Sequence, residues 1–364
     1  MKKSIASRLL LLAALLAPCA SVCAQEQEAP PKPNVETRAA LAVIDDATFY
    51  GGMRFHLPSV LNQVLVEPTL SARGGDRWQA SASLIGVAAT FDHTATQLRV
   101  KESYAGLSAG DFDFTVGRKM VRWGTGYAFT AAGVLDPPRI PTNPTDRLNL
   151  NQGRDMVKAD WVRGQHALTA VWSSAVLAPA GSGLRDTATM RYNVLVHGFD
   201  TALIAGKDRG SDSFGALTFT RVVGQAWEAH GEAAWRGQGA LLAGVKYTTA
   251  HGISAIGEFY TPPNTAWFRG AGVSPSAGRQ HYLFLDIGKT RLRELPGWKQ
   301  WDVGAYSVIN LDDQSATLAV DVNRWFGNHF STYLHMEIPR GARTSEYGAA
   351  PYSTATSIGV RFHL

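Results

Sequence analysis

The side chains with the most chemical potential in this chain are ionisable groups set two residues apart. Glu228-x-His230-x-Glu232 is the densest set, and Glu258, Asp321, His335 and Glu337 follow in the same rhythm. Arg99, Lys101, Lys158 and Arg191 are their basic counterparts, with Lys246 and Arg361. Carboxylates and imidazoles can move protons or hold a metal, but only where they converge on one reacting atom or recur at ligand spacing. Here the ten histidines are scattered, no Ser-His-acid set can be placed on one rim, and no zinc or phosphate-loop spacing occurs. Leu311-Asp312-Asp313 reads as a plain turn. The sequence therefore predicts no enzyme, no catalytic residue, no metal site and no cofactor. It assigns these charges to the lining of a wet interior, where rows of charge set ion preference. The basic members concentrate in the first half of the chain, while the acidic ones, Asp286 and Asp302 included, lie in the second.

Those groups require elements that turn every second side chain toward water. Between Gln225 and Arg236, Trp227, Ala229, Gly231, Ala233 and Trp235 fall on one face, opposite Glu228, His230, Glu232, Ala234 and Arg236. A tryptophan at each end of the apolar face matches the aromatic girdles of a membrane β-barrel, and the opposite face needs water. Leu318, Val320 and Val322 oppose Thr317, Asp321 and Asn323, and Leu334, Met336 and Ile338 oppose Tyr333, His335 and Glu337. In the segment near 95–108, Leu98, Val100 and Tyr104 are set against Gln97, Arg99, Lys101 and Ser103, with Glu102 breaking the register. Segments of about ten residues suit tilted membrane strands.

Turn chemistry orders these segments. Tight Gly-centred connections at 73–76, 109–111, 163–165, 197–199, 223–224 and 326–328 alternate with long ones at 122–153, 175–188, 207–212, 261–278 and 339–352. Short turns on one side and long loops on the other are the mark of an outer-membrane barrel. The fold expected is all-β, a closed antiparallel transmembrane β-barrel of about 18 strands, with 16 as the alternative. It ends in a strand at 353–364 and begins with an ascending strand at Phe49–Phe55, which Val35–Ile44 extends. Ile358, Val360, Phe362 and Leu364 alternate with polar residues and resemble the terminal signal strand of such barrels, which implies the insertion machinery as a partner through residues 356–364.

The N-terminus agrees. Lys2, Lys3 and Arg8 precede an apolar core at Leu9–Leu16, too short to span a bilayer, and Val22-Cys23-Ala24 supplies small residues for cleavage. Residues 1–24 read as a cleaved signal peptide, 25–34 as a periplasmic lead-in and 35–364 as the barrel. Cys19 and Cys23, the only cysteines, lie inside the signal, so the exported chain has no disulfide and no thiolate site. Removing the three signal charges leaves 32 basic residues against 30 acidic, and these are interspersed, which argues against a nucleic-acid partner. Charged residues make up 18% of the chain, below the usual quarter for a soluble domain.

The most distinctive stretch runs Val116-Gly117-Arg118-Lys119-Met120-Val121-Arg122-Trp123-Gly124-Thr125-Gly126-Tyr127 and continues through Asp136-Pro137-Pro138-Arg139 to Asp146-Arg147. Over these roughly 45 residues the sequence resembles a broad group of proteobacterial outer-membrane porin-like barrels, in which Val-Gly-Arg leads into a Trp-Gly-x-Gly-Tyr turn and a Pro-rich loop. The resemblance implies a channel in the Gram-negative outer membrane that passes small hydrophilic solutes. The two glycines allow a tight turn that folds Trp123 and Tyr127 back on the wall. The 122–153 loop then either enters and narrows the pore, with Arg122, Arg139 and Arg147 facing acidic lumen residues, or packs on its own rim with the arginines solvated or bridging lipopolysaccharide phosphates. Alternative functions are a component of a lipid or hydrophobic-compound export system and a closed structural or adhesive barrel. The expected surroundings are outer-membrane lipid, lipopolysaccharide and a small solute, with the protein a homotrimer or a monomer.

Overall fold

A computed structural model of the chain describes residues 35–54, 58–176, 185–210, 213–262, 281–290, 292 and 298–364. The signal peptide and lead-in expected at 1–34 lie outside these residues, as does Phe55. The described chain forms a single 18-stranded antiparallel sheet closed on itself, since β1 (Val35–Gly51) pairs with both β2 (Val60–Gly74) and β18 (Thr354–His363). Between them run β3 (Trp78–Thr90), β4 (Thr94–Ala109), β5 (Phe112–Lys119), β6 (Arg154–Arg163), β7 (His166–Ser174), β8 (Thr187–Val196), β9 (Phe199–Asp208) and β10 (Ser213–Val223). The circuit continues through β11 (Trp227–Trp235), β12 (Gly239–Thr248), β13 (Ile253–Thr261), β14 (Tyr282–Lys289), β15 (Trp301–Asn310), β16 (Ser315–Phe326) and β17 (Phe330–Arg340). Each strand pairs with its sequence neighbours, so closure removes every free edge without a crossover.

The count is eighteen, not sixteen. β1 is one continuous strand from Val35, longer than the Phe49–Phe55 segment expected to begin the barrel. The short turns use left-handed backbone at Gly75, Gly110, Gly164, Gly198, Gly224 and Gly327, which only glycine adopts without strain.

The burial pattern is inverted relative to a soluble protein. Leu98, Val116, Trp172, Leu203, Trp227, Trp235, Leu241 and Ile287 are exposed on the outer wall, while Lys101, His230, Glu232, Glu258 and His335 are buried inside. A continuous apolar exterior of this extent is stable against hydrocarbon, and a closed barrel satisfies its backbone there. The facing expected from alternation holds along β11, β16 and β17. It fails in β4, where Ser83 pairs with Glu102 but Leu84 pairs with Val100. This bulge adds one residue to β4 and switches the faces beyond it. Tyr104 consequently turns inward and Ser103 outward, the reverse of the expectation.

Candidate functional site

The bulge also grips the loop that occupies the barrel. It brings Lys101 and Glu102, adjacent in sequence, to the lumen side together. The Met120 N–H donates to the Glu102 carboxylate (2.7 Å) where the loop leaves β5, and the Gly153 N–H donates to the Lys101 carbonyl (2.9 Å) where it returns to β6. Lys101 Nζ pairs with Glu67 (2.8 Å), whose other contacts include Ser83 Oγ and the loop's Asn149 Nδ2 (2.9 Å). Both ends of the 120–153 segment are thereby fixed to one short stretch of wall.

From there the chain enters the lumen. Trp123 packs among Ala132, Leu135, Met156, Val171, Ile204 and Phe214, against the wall from β6 to β10. Beyond it the loop's backbone amides converge on two wall carboxylates. Glu232 of β11 accepts from the N–H groups of Thr125, Gly126 (3.0 Å), Ala131 (2.5 Å) and Ala132 (2.7 Å), and from the Thr130 hydroxyl (2.9 Å). Glu258 of β13 accepts from the N–H groups of Tyr127 and Ala128 (2.9 Å) and meets His230 Nε2 at 2.9 Å. A buried carboxylate is stable only when such donors replace water, and hydrogen bonds to a charged group are stronger than neutral ones.

A second layer braces the turn from within. The Asp136 carboxylate accepts from the N–H groups of Trp123 (2.6 Å) and Gly124, while the Arg139 guanidinium donates to the carbonyls of Gly124 (3.2 Å), Gly126 and Tyr127 (3.2 Å). Burial pushes the Asp136 carboxyl up from the usual carboxylate range, outweighing the N–H donors and Arg139 that favour its charge. The glycines serve close approach more than turning. A Cβ on Gly126 would stand 2.6 Å from Leu242 Cδ1, and one on Gly124 2.8 Å from Thr130 Cβ, and neither glycine has left-handed backbone. Phe129 then stacks on Tyr260 with ring centroids 4.7 Å apart. Tyr127 donates to Glu228 (3.0 Å) and receives Lys246 Nζ (3.2 Å).

The first part of the loop thus covers one side of the lumen, while Thr142 and Leu148 reach Tyr306 of β15 and Ile44, Leu65, Ile85 and Tyr333 on β1, β2, β3 and β17. A second outer segment, 341–353, folds over β14 and β15, where Glu346 accepts from Tyr282 Oη (2.9 Å) and Asn310 Nδ2 (2.7 Å). What stays open is a cavity of about 650 Å³ against the other wall, lined by Glu67, Asp286, Asp302, Asp321, Tyr333 and Arg361, with Tyr127 and residues 144–149 as its loop side. Arg147 lies over the Tyr333 ring (5.4 Å), the Tyr333 hydroxyl donates to Asp46 (2.6 Å), and Arg361 Nη2 donates to the Arg147 carbonyl (2.9 Å). Charges of both signs therefore border this cavity.

Several expected roles change with this geometry. His230, Glu232 and Glu258 face inward but lie beneath the loop, at 1%, 3% and 0% exposure, so they are anchors and not open lining. Lys101 is a buried ion-pair partner of Glu67, Lys158 pairs with Asp160, and Arg191 lies on the loop-covered side outside the cavity lining. Arg99 stays exposed beside Gln97, and Glu228 is taken up by Tyr127. Asp321 lines the cavity with His335 on it (2.8 Å), and Glu337 meets Tyr352 Oη (3.3 Å). Of the three loop arginines only Arg147 borders the cavity: Arg139 is spent on the loop's own carbonyls and Arg122 is exposed beside Met120 Sδ (4.0 Å). Glu67, Asp46 and Glu346 were not anticipated, and Tyr333 and Asp136 were named without these roles. For Asp46 the signal was present, because in adjacent acids of one strand, Asp45-Asp46, one must face inward.

A closed 18-stranded barrel with an inward-folded loop pinned to its wall is the class that fold and site define. No protein-family model and no curated protein matches the sequence. Solved structures match it over nearly its whole length. OccK5 (OpdH) of Pseudomonas aeruginosa superposes with a TM-score of 0.64 at 8% identity, covering 90% of this chain and 98% of that one. OccK11 (OpdR) from the same organism gives 0.62 at 11% identity over 90% and 96%, and OpdK, solved with vanillate, gives 0.59 at 11% over 90% and 98%. At such identities the shared property is the fold, that of a closed 18-stranded antiparallel barrel.

Proposed function

We propose that this protein is an outer-membrane channel that passes small hydrophilic solutes through a charged lumen narrowed by the 122–153 loop. The observation that carries this reading is the asymmetric filling of the barrel. Eighteen strands enclose more space than wall side chains can fill, and the pinned loop occupies part of it while a cavity with charges of both signs among apolar residues persists against the wall from β14 round to β3. A closed structural barrel would have no need to keep charges of both signs at that opening, and a route for purely hydrophobic compounds would not interrupt an apolar lining that includes Ile44, Leu65 and Ile85 with Glu67, Asp286, Asp321 and Arg361. The vanillate bound to the structurally similar OpdK accords with passage of a small solute.

In this reading the outer wall contacts outer-membrane lipid, and lipopolysaccharide meets the side bearing the long loops. The outward row Ile358, Val360, Phe362 and Leu364 on and just beyond β18 is exposed as an insertion signal requires. The test is reconstitution of the purified protein. It is expected to give discrete conductance steps in a planar bilayer and to let small sugars and amino acids into liposomes. A heat-modifiable, folded barrel that conducts nothing and admits nothing would overturn the proposal.

A further inference from the structure

The outer wall carries one feature that channel function does not use. Asp45 of β1 lies between the lumen-facing pair Ile44 and Asp46, both buried, and is itself exposed on the opposite face. It lies six residues from the nearer end of β1. Val64 and Val360 are its partners on the two neighbouring strands, exposed Phe49 lies four residues above, and Phe362 pairs with Val43 two residues below. The other formally charged residues on the outer faces of the described strands, such as Arg118, Asp155, Lys207, Arg221 and Arg324, lie within three residues of a strand end, where headgroups and water are in reach. Asp45 has no hydrogen-bond or ion-pair partner among the described residues. A carboxylate in hydrocarbon needs a donor, and lipid tails supply none.

A donor of matching kind lies beside it on the same face. Asn62 of β2 pairs with Ala47, one diagonal step from Asp45, and is exposed and without a side-chain partner among the described residues. Small outward residues flank these two: Ala47 pairs with Asn62, Ala88 with Val64 and Gly86 with Val66. Small residues permit close approach of another wall. An acceptor and a donor adjacent in one patch are self-complementary about a two-fold axis, because residue i meets j while j meets i.

We propose that the β1–β3 wall is a two-fold interface with a second copy of this chain, in which the Asp45 carboxylate of each barrel accepts from the Asn62 amide of the other. The inference rests on the barrel spanning a membrane and not on its conducting. Ala47→Cys, placed near the axis, is expected to yield a disulfide-linked dimer in intact membranes, and light scattering in mild detergent to give twice the barrel mass for the wild type. Asp45→Val and Asn62→Val should each lower the linked dimer at least tenfold while heat-modifiable mobility and conductance per barrel persist. The exchange Asp45→Asn with Asn62→Asp should restore it, because the symmetric contact is regenerated. A monomer, a trimer, or a dimer indifferent to both valine substitutions would overturn the interface and leave the channel reading standing. Solubility without detergent would overturn both.

Discussion

The two sides of this barrel interior use the same kinds of residue for opposite ends. On the loop-covered side, from β6 to β13, carboxylates are removed from water and satisfied by backbone amides: Glu232 by Thr125, Gly126, Ala131 and Ala132, and Glu258 by Tyr127 and Ala128. On the open side, from β14 round to β3, Asp286, Asp302 and Asp321 border a cavity with Arg361 and the loop's Arg147. A carboxylate that holds a loop and one that faces a solute cannot be told apart by residue type. They differ in what stands opposite them, and that decides whether a substitution disturbs architecture or selectivity.

Breaking the loop-covered side should have the larger effect. Replacing Glu232 and Glu258 together with alanine strands several buried amides without acceptors, and is expected to weaken loop docking by about 3–5 kcal/mol. Single-channel records should then show a higher, noisier conductance, and limited proteolysis should cut within 125–140. Arg139→Ala should come next, at about 2 kcal/mol, since it removes the donor to three loop carbonyls. Arg139→Lys should recover little, because an ammonium cannot reproduce the planar fork. Its readout is the same proteolysis assay, with the conductance of the intact fraction unchanged.

On the open side, Arg147→Ala should leave proteolysis unaltered and shift the reversal potential in a salt gradient toward cation preference, since it removes a cation from a cavity that Asp321 and Asp286 also line. The smallest effect expected is pH dependence. The Asp136 carboxyl is raised by burial, so the docked loop binds its proton more readily than the free loop does. Docking should therefore lose a little stability as pH rises from the ordinary carboxylate range through the raised value, and be flat above it. Asp136→Asn should remove that slope in a proteolysis series across pH, while a slope of the opposite sign would contradict the assignment.

Much of the wall was legible in the sequence because period-2 alternation is a local property. Trp227 to Trp235 named its own two faces, and turn lengths placed all the long loops on one side. The β4 bulge was hinted at by Glu102 but not resolved, since an inserted residue changes facing without changing composition, and Tyr104 was misplaced as a result. The site was less legible. That Glu232 and Glu258 face inward follows from alternation. That they face a loop and not water depends on residues 100 or more positions away in the chain, and nothing local to either strand records it. Likewise Arg139 and Arg147 look equivalent in a basic, Pro-rich loop, yet one closes on its own backbone while the other reaches the opening.

A docked loop narrows an otherwise wide lumen, and single-channel conductance of the barrel lacking residues 128–150 tests that role most directly. The strands pair without that segment, so the shortened protein is expected to insert and to conduct severalfold more than the wild type, with weaker ion preference. A correctly folded deletion protein with wild-type conductance and selectivity would show that the loop does not set the width of the pore.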